Sequence, residues 1–148
     1  MPEALTGGEI PSIIEGFVTA ARNAVEAGLD GVEIHAANGY LVHQFLGKAS
    51  NQRTDEYGGS PANRARLAIE ILTAVAEAIG AERTGLRISP EHNIQGVVED
   101  DQEDLAATYT ALAEGWRRWA WRSWTSCTSS RPGRWCSSSA RPSRRRSS

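Results

Sequence analysis

Apolar side chains recur at Ile10, Ile13, Ile14, Phe17, Ala20, Ala21, Ala24 and Val25, a single stripe at helical period. Thr6 and Glu9 stand just before it at the spacing of a capping box, and Gly28 follows as a residue that easily takes the left-handed turn beyond a helix end. A short strand is marked by Val32 and Ile34. After a long loop, Ser60 offers an N-cap with Pro61 at the first helical position. Ala65, Leu67, Ala68, Ile71, Leu72, Val75 and Ile79 continue as a second helix, which Gly80 stops. The run Thr84 to Ser89 reads as a second strand halted by Pro90. A third helix is expected after Asp100 or Asp101, with Leu105, Tyr109 and Leu112 on one face.

Helix, strand, helix, strand, helix is the order of a parallel sheet covered by helices, an α/β fold. Two parallel strands are buried on both faces and need neighbours, and a complete (β/α)8 barrel needs roughly 250 residues. Residues 1–116 are therefore expected to be a partial (β/α)8 TIM barrel, about strands four and five with their flanking helices.

Charge changes the picture, because the overall net charge of −2 averages two unlike pieces. Residues 1–116 hold 18 acidic and 7 basic side chains, a net charge of −11 (7 − 18), whereas residues 117–148 hold 9 arginines and no acid. The second piece contains no Leu, Ile, Val, Met or Phe. It begins where a third strand should follow and offers no aliphatic residue to build one, so it is expected to be a disordered, low-complexity tail. Its residues are largely those of GC-rich codons, which suggests an out-of-frame reading of the gene. Arginine and tryptophan together also suit a nucleic-acid or membrane-surface segment, but "RRWAWRSWTS" has no clear amphipathic period and the acidic body opposes polyanions.

No basic flank leads into an apolar stretch with a cleavage site, and no apolar run approaches the ~20 residues that span a bilayer. A cytoplasmic protein without nucleic-acid or membrane partners is expected, its oligomeric state left open. Cys127 and Cys136 both fall in the tail, at a spacing that fits neither a redox pair nor a zinc site, and no metal is expected.

The candidate chemistry lies in "GVEIHAANGYLVHQFL", Gly31 to Leu46. Chemistry in a βα barrel sits where strands end and loops begin. His35 and Asn38 occupy such a strand exit, with Tyr40 close behind. An imidazole and an amide can both donate to one substrate oxygen while a phenol supplies a proton nearby, a set that suits a carbonyl gaining negative charge. Spacing alone fits equally well a reading in which Asn38-Gly39 is only a turn and His35 a structural histidine.

"AGLDGVEIHAANGYLVHQFL", "SNQRTDEYGGSPANRARLAIEIL" and "GLRISP", in this order and spacing, resemble the Old Yellow Enzyme family of FMN-dependent oxidoreductases, also called NADH:flavin oxidoreductases or ene reductases. The resemblance spans about Leu5 to Ala113. It joins an H-x-x-N-x-Y strand exit, an R-x-D-x-Y-G-G loop, an N-R pair opening the next helix and an arginine on the next strand.

The resemblance implies an eight-stranded barrel with FMN across its C-terminal mouth, reduced by NADH or NADPH and reoxidised by an activated alkene or another electron acceptor. It implies that His35 and Asn38 bind the substrate's electron-withdrawing oxygen, that Tyr40 protonates the α carbon, and that Arg87 lies beside the flavin near N1 and the C2 oxygen. Arg53 and Asp55 are expected to form an internal ion pair, and Asn51, Tyr57, Gly58 and Gly59 to shape their loop. Asn63 and Arg64 are expected to be structural, His43 to be a surface or supporting residue, and His92 to lie in a loop with only a weak claim on substrate. The family's remaining flavin contacts, including its phosphate-binding loops, find no match here, so this polypeptide alone is expected to hold FMN weakly or not at all. The alternatives are a non-catalytic remnant or interaction fragment, and a barrel enzyme using His35 and Tyr40 without flavin.

Overall fold

The computed structural model describes residues 4–117 and 124–126. Its elements are α1 (Ile10–Glu26), β1 (Val32–Ala36), α2 (Leu41–Leu46), α3 (Pro61–Ile79), β2 (Thr84–Ile88), α4 (Gln102–Trp116) and β3 (Trp124–Ser126), with single 3-10 turns before α1 and β2. The strands form one parallel sheet in the order β1-β2-β3. Each β-to-β connection carries helix, as parallel pairing demands.

The helix ends form as the sequence predicts. The Glu9 carboxylate accepts from the Thr6 backbone N–H at 2.7 Å and from the Thr6 hydroxyl at 2.8 Å. Ser60 Oγ accepts from the Asn63 N–H at 3.2 Å, and Asp101 Oδ1 caps α4 through the Asp104 N–H at 3.1 Å. Beyond α3, Gly80 turns at φ +99°, a conformation open to glycine.

Strand alternation sorts the residues by face. Ile34 and Ala36 of β1 and Leu86 and Ile88 of β2 are buried in one cluster with Val18 and Ala21 of α1 and Leu67, Ala68, Ile71, Leu72 and Val75 of α3. Leu112 and Trp116 of α4 join it from the far side of α3. The alternate residues, His35 and Arg87, therefore project from the face opposite the helices. In a closed barrel that face is the interior.

Two elements differ from expectation. "LVHQFL" folds as the six-residue helix α2, whose Val42, His43, Phe45 and Leu46 are buried. A single turn and a half is too short to show a period, so its run of apolar residues carried no helical signature. The second difference is β3, three residues within the segment expected to have no strand, whose Trp124, Thr125 and Ser126 register with Leu86, Arg87 and Ile88. Backbone pairing at the open edge of β2 does not require aliphatic side chains, and Trp and Thr are strand-favouring types. The expectation of disorder for the rest of residues 118–148, and both cysteines, lie outside the described residues.

The long loop before α3 is held by its own polar groups. Asn51 Nδ2 donates to the carbonyls of Phe45 and Tyr57, each at 2.7 Å. Arg53 pairs with Asp55 through two bonds, Nε to Oδ1 at 3.0 Å and Nη2 to Oδ2 at 2.5 Å, as the sequence predicts. The guanidinium holds the Asp55 carboxyl below the usual carboxylate range. Tyr57 donates to Glu70 at 2.9 Å, and burial, reinforced by that carboxylate, pushes its phenol up to about 12. A side chain at Gly58 would put Cβ 2.2 Å from the Arg53 carbonyl oxygen, so the loop closes only around glycine there.

Candidate active site

The parallel register sets His35 directly beside Arg87. One strand exit thus offers an imidazole and a guanidinium on the same face, at the carboxyl ends of paired strands. Burial first, and the neighbouring Arg87 charge second, hold the His35 pKa below its ordinary value. His35 is thereby kept neutral near pH 7 and carries one N–H to donate. Its folded-state pKa being depressed, the folded form binds fewer protons than the unfolded chain, and stability falls as pH drops through the ordinary histidine range. NMR titration of the His35 ring should give a midpoint below that of histidine in the unfolded chain; a midpoint above it would contradict this environment.

After Ala36 the chain reverses. Tyr40 N–H donates to the Ala37 carbonyl at 3.2 Å, and the two central residues have φ of +57° at Asn38 and +76° at Gly39, as in a type I′ turn. Asn-Gly is the pair best suited to it, since asparagine tolerates the left-handed region and glycine has no Cβ. Gly39 is required on a second ground: a Cβ there would lie 2.6 Å from Gln95 Cβ and 2.7 Å from the Ile94 carbonyl oxygen. The turn reading is thus seen in the structure, and it is compatible with the site reading, because the turn carries Asn38 and Tyr40 past the strand end.

Tyr40 caps α2 and is 53% exposed, and its ring lies 5.3 Å from that of His35 at a tilt of 50°. The phenol and the imidazole thus border the same open region. Asn38 is tied from two sides: its backbone N–H donates to Ser89 Oγ at 2.8 Å, and its Oδ1 lies 3.0 Å from His92 Nδ1.

His43 is fully buried, which corrects the expectation of a surface position and leaves the supporting one. Its Nδ1 accepts from the Gly39 N–H at 2.9 Å, so its proton sits on Nε2, 3.4 Å from Glu99 Oε1. Glu99 in turn accepts from Tyr109 at 3.0 Å and from the Glu91 N–H at 2.9 Å, and burial with that carboxylate pushes the Tyr109 phenol well above its usual range. Ser89 and Glu99 carried no sequence signal of their own. A clue existed in the parallel pairing, which brings the loop after β2 alongside the loop after β1.

FMN can be tested against these residues. Arg87 Nε is buried with no hydrogen-bond partner among the described residues, a donor that calls for an acceptor from outside them. That fits a flavin edge bearing N1 and the C2 oxygen. The described residues form no group arranged to hold a metal ion, and no described helix is long and apolar enough to cross a membrane.

A parallel sheet with its helices on one face, and a cation beside polar donors at the strands' carboxyl ends, are the features of a sector of a βα barrel with polar groups at its strand exits. The family model for the NADH:flavin oxidoreductase / NADH oxidase family matches residues 1–140, and the chain belongs to that family. It is 57% identical over 106 residues to the 12-oxophytodienoate reductase 1 of Oryza sativa subsp. japonica, covering 72% of this chain and 28% of that protein. It is 53% identical over 105 residues to a Leishmania infantum protein named "Probable flavin mononucleotide-dependent alkene reductase", covering 71% of this chain and 29% of that one. Among solved structures, the old yellow enzyme homologue from Zymomonas mobilis superposes with a TM-score of 0.71 at 43% identity, over 76% of this chain and 32% of that chain. The chain thus spans less than a third of the length of these relatives, and the fold is a partial barrel of the Old Yellow Enzyme type.

Proposed function

We propose that residues 4–117 form the substrate-activating sector of an FMN-dependent ene reductase that draws on NADH or NADPH and acts on an activated alkene or another small electron acceptor. The observation that carries this reading is the pairing of His35 with Arg87 on neighbouring strands, with the Tyr40 ring 5.3 Å from that of His35 and the Arg87 Nε buried and unpartnered among the described residues. The names borne by the rice and Leishmania relatives point to the same chemistry.

His35 and the Asn38 amide donate to the electron-withdrawing oxygen of the alkene. Donors placed in advance where charge will grow favour the transition state over the ground state. Tyr40 holds a phenolic proton at the solvent side of His35 and passes it to the carbon α to the activating group. Arg87 would lie along the flavin near N1 and the C2 oxygen, where its permanent charge suits the negative charge of the reduced ring. FMN, when bound, supplies the hydride that reaches the β carbon of the alkene.

Only this one edge of FMN finds a partner among the described residues, so the 148-residue chain alone is expected to hold FMN weakly. The acidic body, at −11 over residues 1–116, suits a cytoplasmic enzyme of small molecules rather than a nucleic-acid or membrane-surface protein. We further propose that residues 117–148 are an out-of-frame reading; translation of the downstream DNA in the other frames should then yield an aliphatic strand and further βα units. The function is tested by anaerobic reaction of the protein, in saturating FMN and NAD(P)H, with 2-cyclohexenone. Saturated ketone should form; reduction of the flavin with no loss of alkene would contradict the reading.

A further inference from the structure

His92 takes no part in that mechanism, yet its Nδ1 stands 3.0 Å from the Asn38 Oδ1. We propose that His92 is a positioning residue: it donates from Nδ1–H to the Asn38 amide oxygen and so fixes the amide with its NH2 group as the end available to substrate. The proposal rests on the reading of Asn38 as a ligand of the substrate oxygen.

A side-chain amide has two orientations related by a half-turn, and they offer opposite chemistry. One presents two donors, the other a carbonyl oxygen that repels a substrate oxygen. The backbone of Asn38 leaves that choice as the free variable, because it is pinned throughout: Asn38 N–H to Ser89 Oγ at 2.8 Å, Gly39 N–H to His43 Nδ1 at 2.9 Å, and Tyr40 N–H to the Ala37 carbonyl at 3.2 Å. With Oδ1 occupied by His92, the Nδ2 group remains, and it has no hydrogen bond among the described residues.

His92 is itself held in place. Its backbone N–H donates to the Ser89 carbonyl at 3.3 Å, and both neighbours are tied to the buried Glu99. Glu91 N–H donates to Glu99 Oε2 at 2.9 Å, and Glu99 N–H donates to Asn93 Oδ1 at 2.7 Å. Glu99 Oε1 then accepts from Tyr109 of α4 at 3.0 Å, which anchors the strap to the helical layer. A ring so mounted can select one amide orientation only while its Nδ1 carries a proton. The tautomer protonated at Nε2 alone would present a lone pair and turn the amide over.

The test has two parts. A long-range 1H–15N NMR correlation on the labelled chain, without flavin, reads the ring directly: Nδ1 should be the protonated nitrogen of neutral His92, and a ring protonated only at Nε2 would overturn the proposal. In saturating FMN, binding of 4-nitrophenolate then reads the consequence. His92→Asn keeps an N–H donor near the Nδ1 position and should stay within about twofold of the parent. His92→Asp, of the same size but an acceptor, should weaken binding about tenfold, the worth of one hydrogen bond. Equal weakening in the two variants would overturn the proposal. Unchanged affinity in Asn38→Ala would sink the reading of the site beneath it, a result distinct from the flavin-free NMR signature.

Discussion

In a full-length barrel carrying this segment, Tyr40→Phe is expected to slow alkene reduction by about 10²- to 10⁴-fold while leaving flavin reduction by NAD(P)H within about twofold, because a positioned proton donor contributes about that much to a single step. Tyr40 is the proton donor in the proposed function. It is 53% exposed, its ring stands beside His35 at 5.3 Å, and its loss removes one hydroxyl without opening a core cavity. Stability should therefore be unchanged, and anaerobic stopped-flow measurement of the two half-reactions separates the effects. Equal slowing of both half-reactions would mean that Tyr40 shapes the site without supplying the proton. No slowing of the alkene step would remove it from the role.

The second large effect concerns stability. Arg64 is 1% exposed at the start of α3, and its guanidinium serves four partners: the Leu46 carbonyl at 3.0 Å, the Gly59 carbonyl, Asp104 at 2.5 Å and Thr108 at 2.8 Å. It thereby joins α2, the long loop and α4 to α3. Arg64→Leu would leave a partly buried Asp104 and two carbonyls unpaired, and should cost about 3–5 kcal/mol, a large share of the roughly 5–15 kcal/mol that holds a typical domain. Arg64→Lys keeps the charge but not the planar fork, and should recover only part of the loss. Urea unfolding of the variants measures both. A loss under about 1 kcal/mol for Arg64→Leu would show that these bonds are replaced by water.

Much of this was readable in the sequence, for identifiable reasons. The helices α1, α3 and α4 repeat their apolar stripes over enough turns to be seen, and each carries its own start signal at Thr6/Glu9, Ser60 or Asp101. That His35, Asn38 and Tyr40 stand at a strand exit was legible from local order, whereas the roles proposed for them, and the choice of Arg87, came from the family motifs. What stayed hidden is non-local. His43 looked like a surface residue because nothing near it in the chain announces Glu99, and the weak claim of His92 became specific only when the loop after β2 folded beside Asn38. The strand β3 was invisible for the opposite reason: it is formed by the edge of β2 rather than by any pattern in its own three residues.

The proposed function turns on His35 and Asn38 both donating to one substrate oxygen, above a flavin that Arg87 would edge. Its most direct test is the affinity of 4-nitrophenolate, an oxyanion on a flat ring, for the protein in saturating FMN, compared among the parent, His35→Ala and Asn38→Ala. Each variant should bind about tenfold or more weakly, as expected for loss of a hydrogen bond to a charged oxygen. Affinity unaltered in both variants would contradict the account.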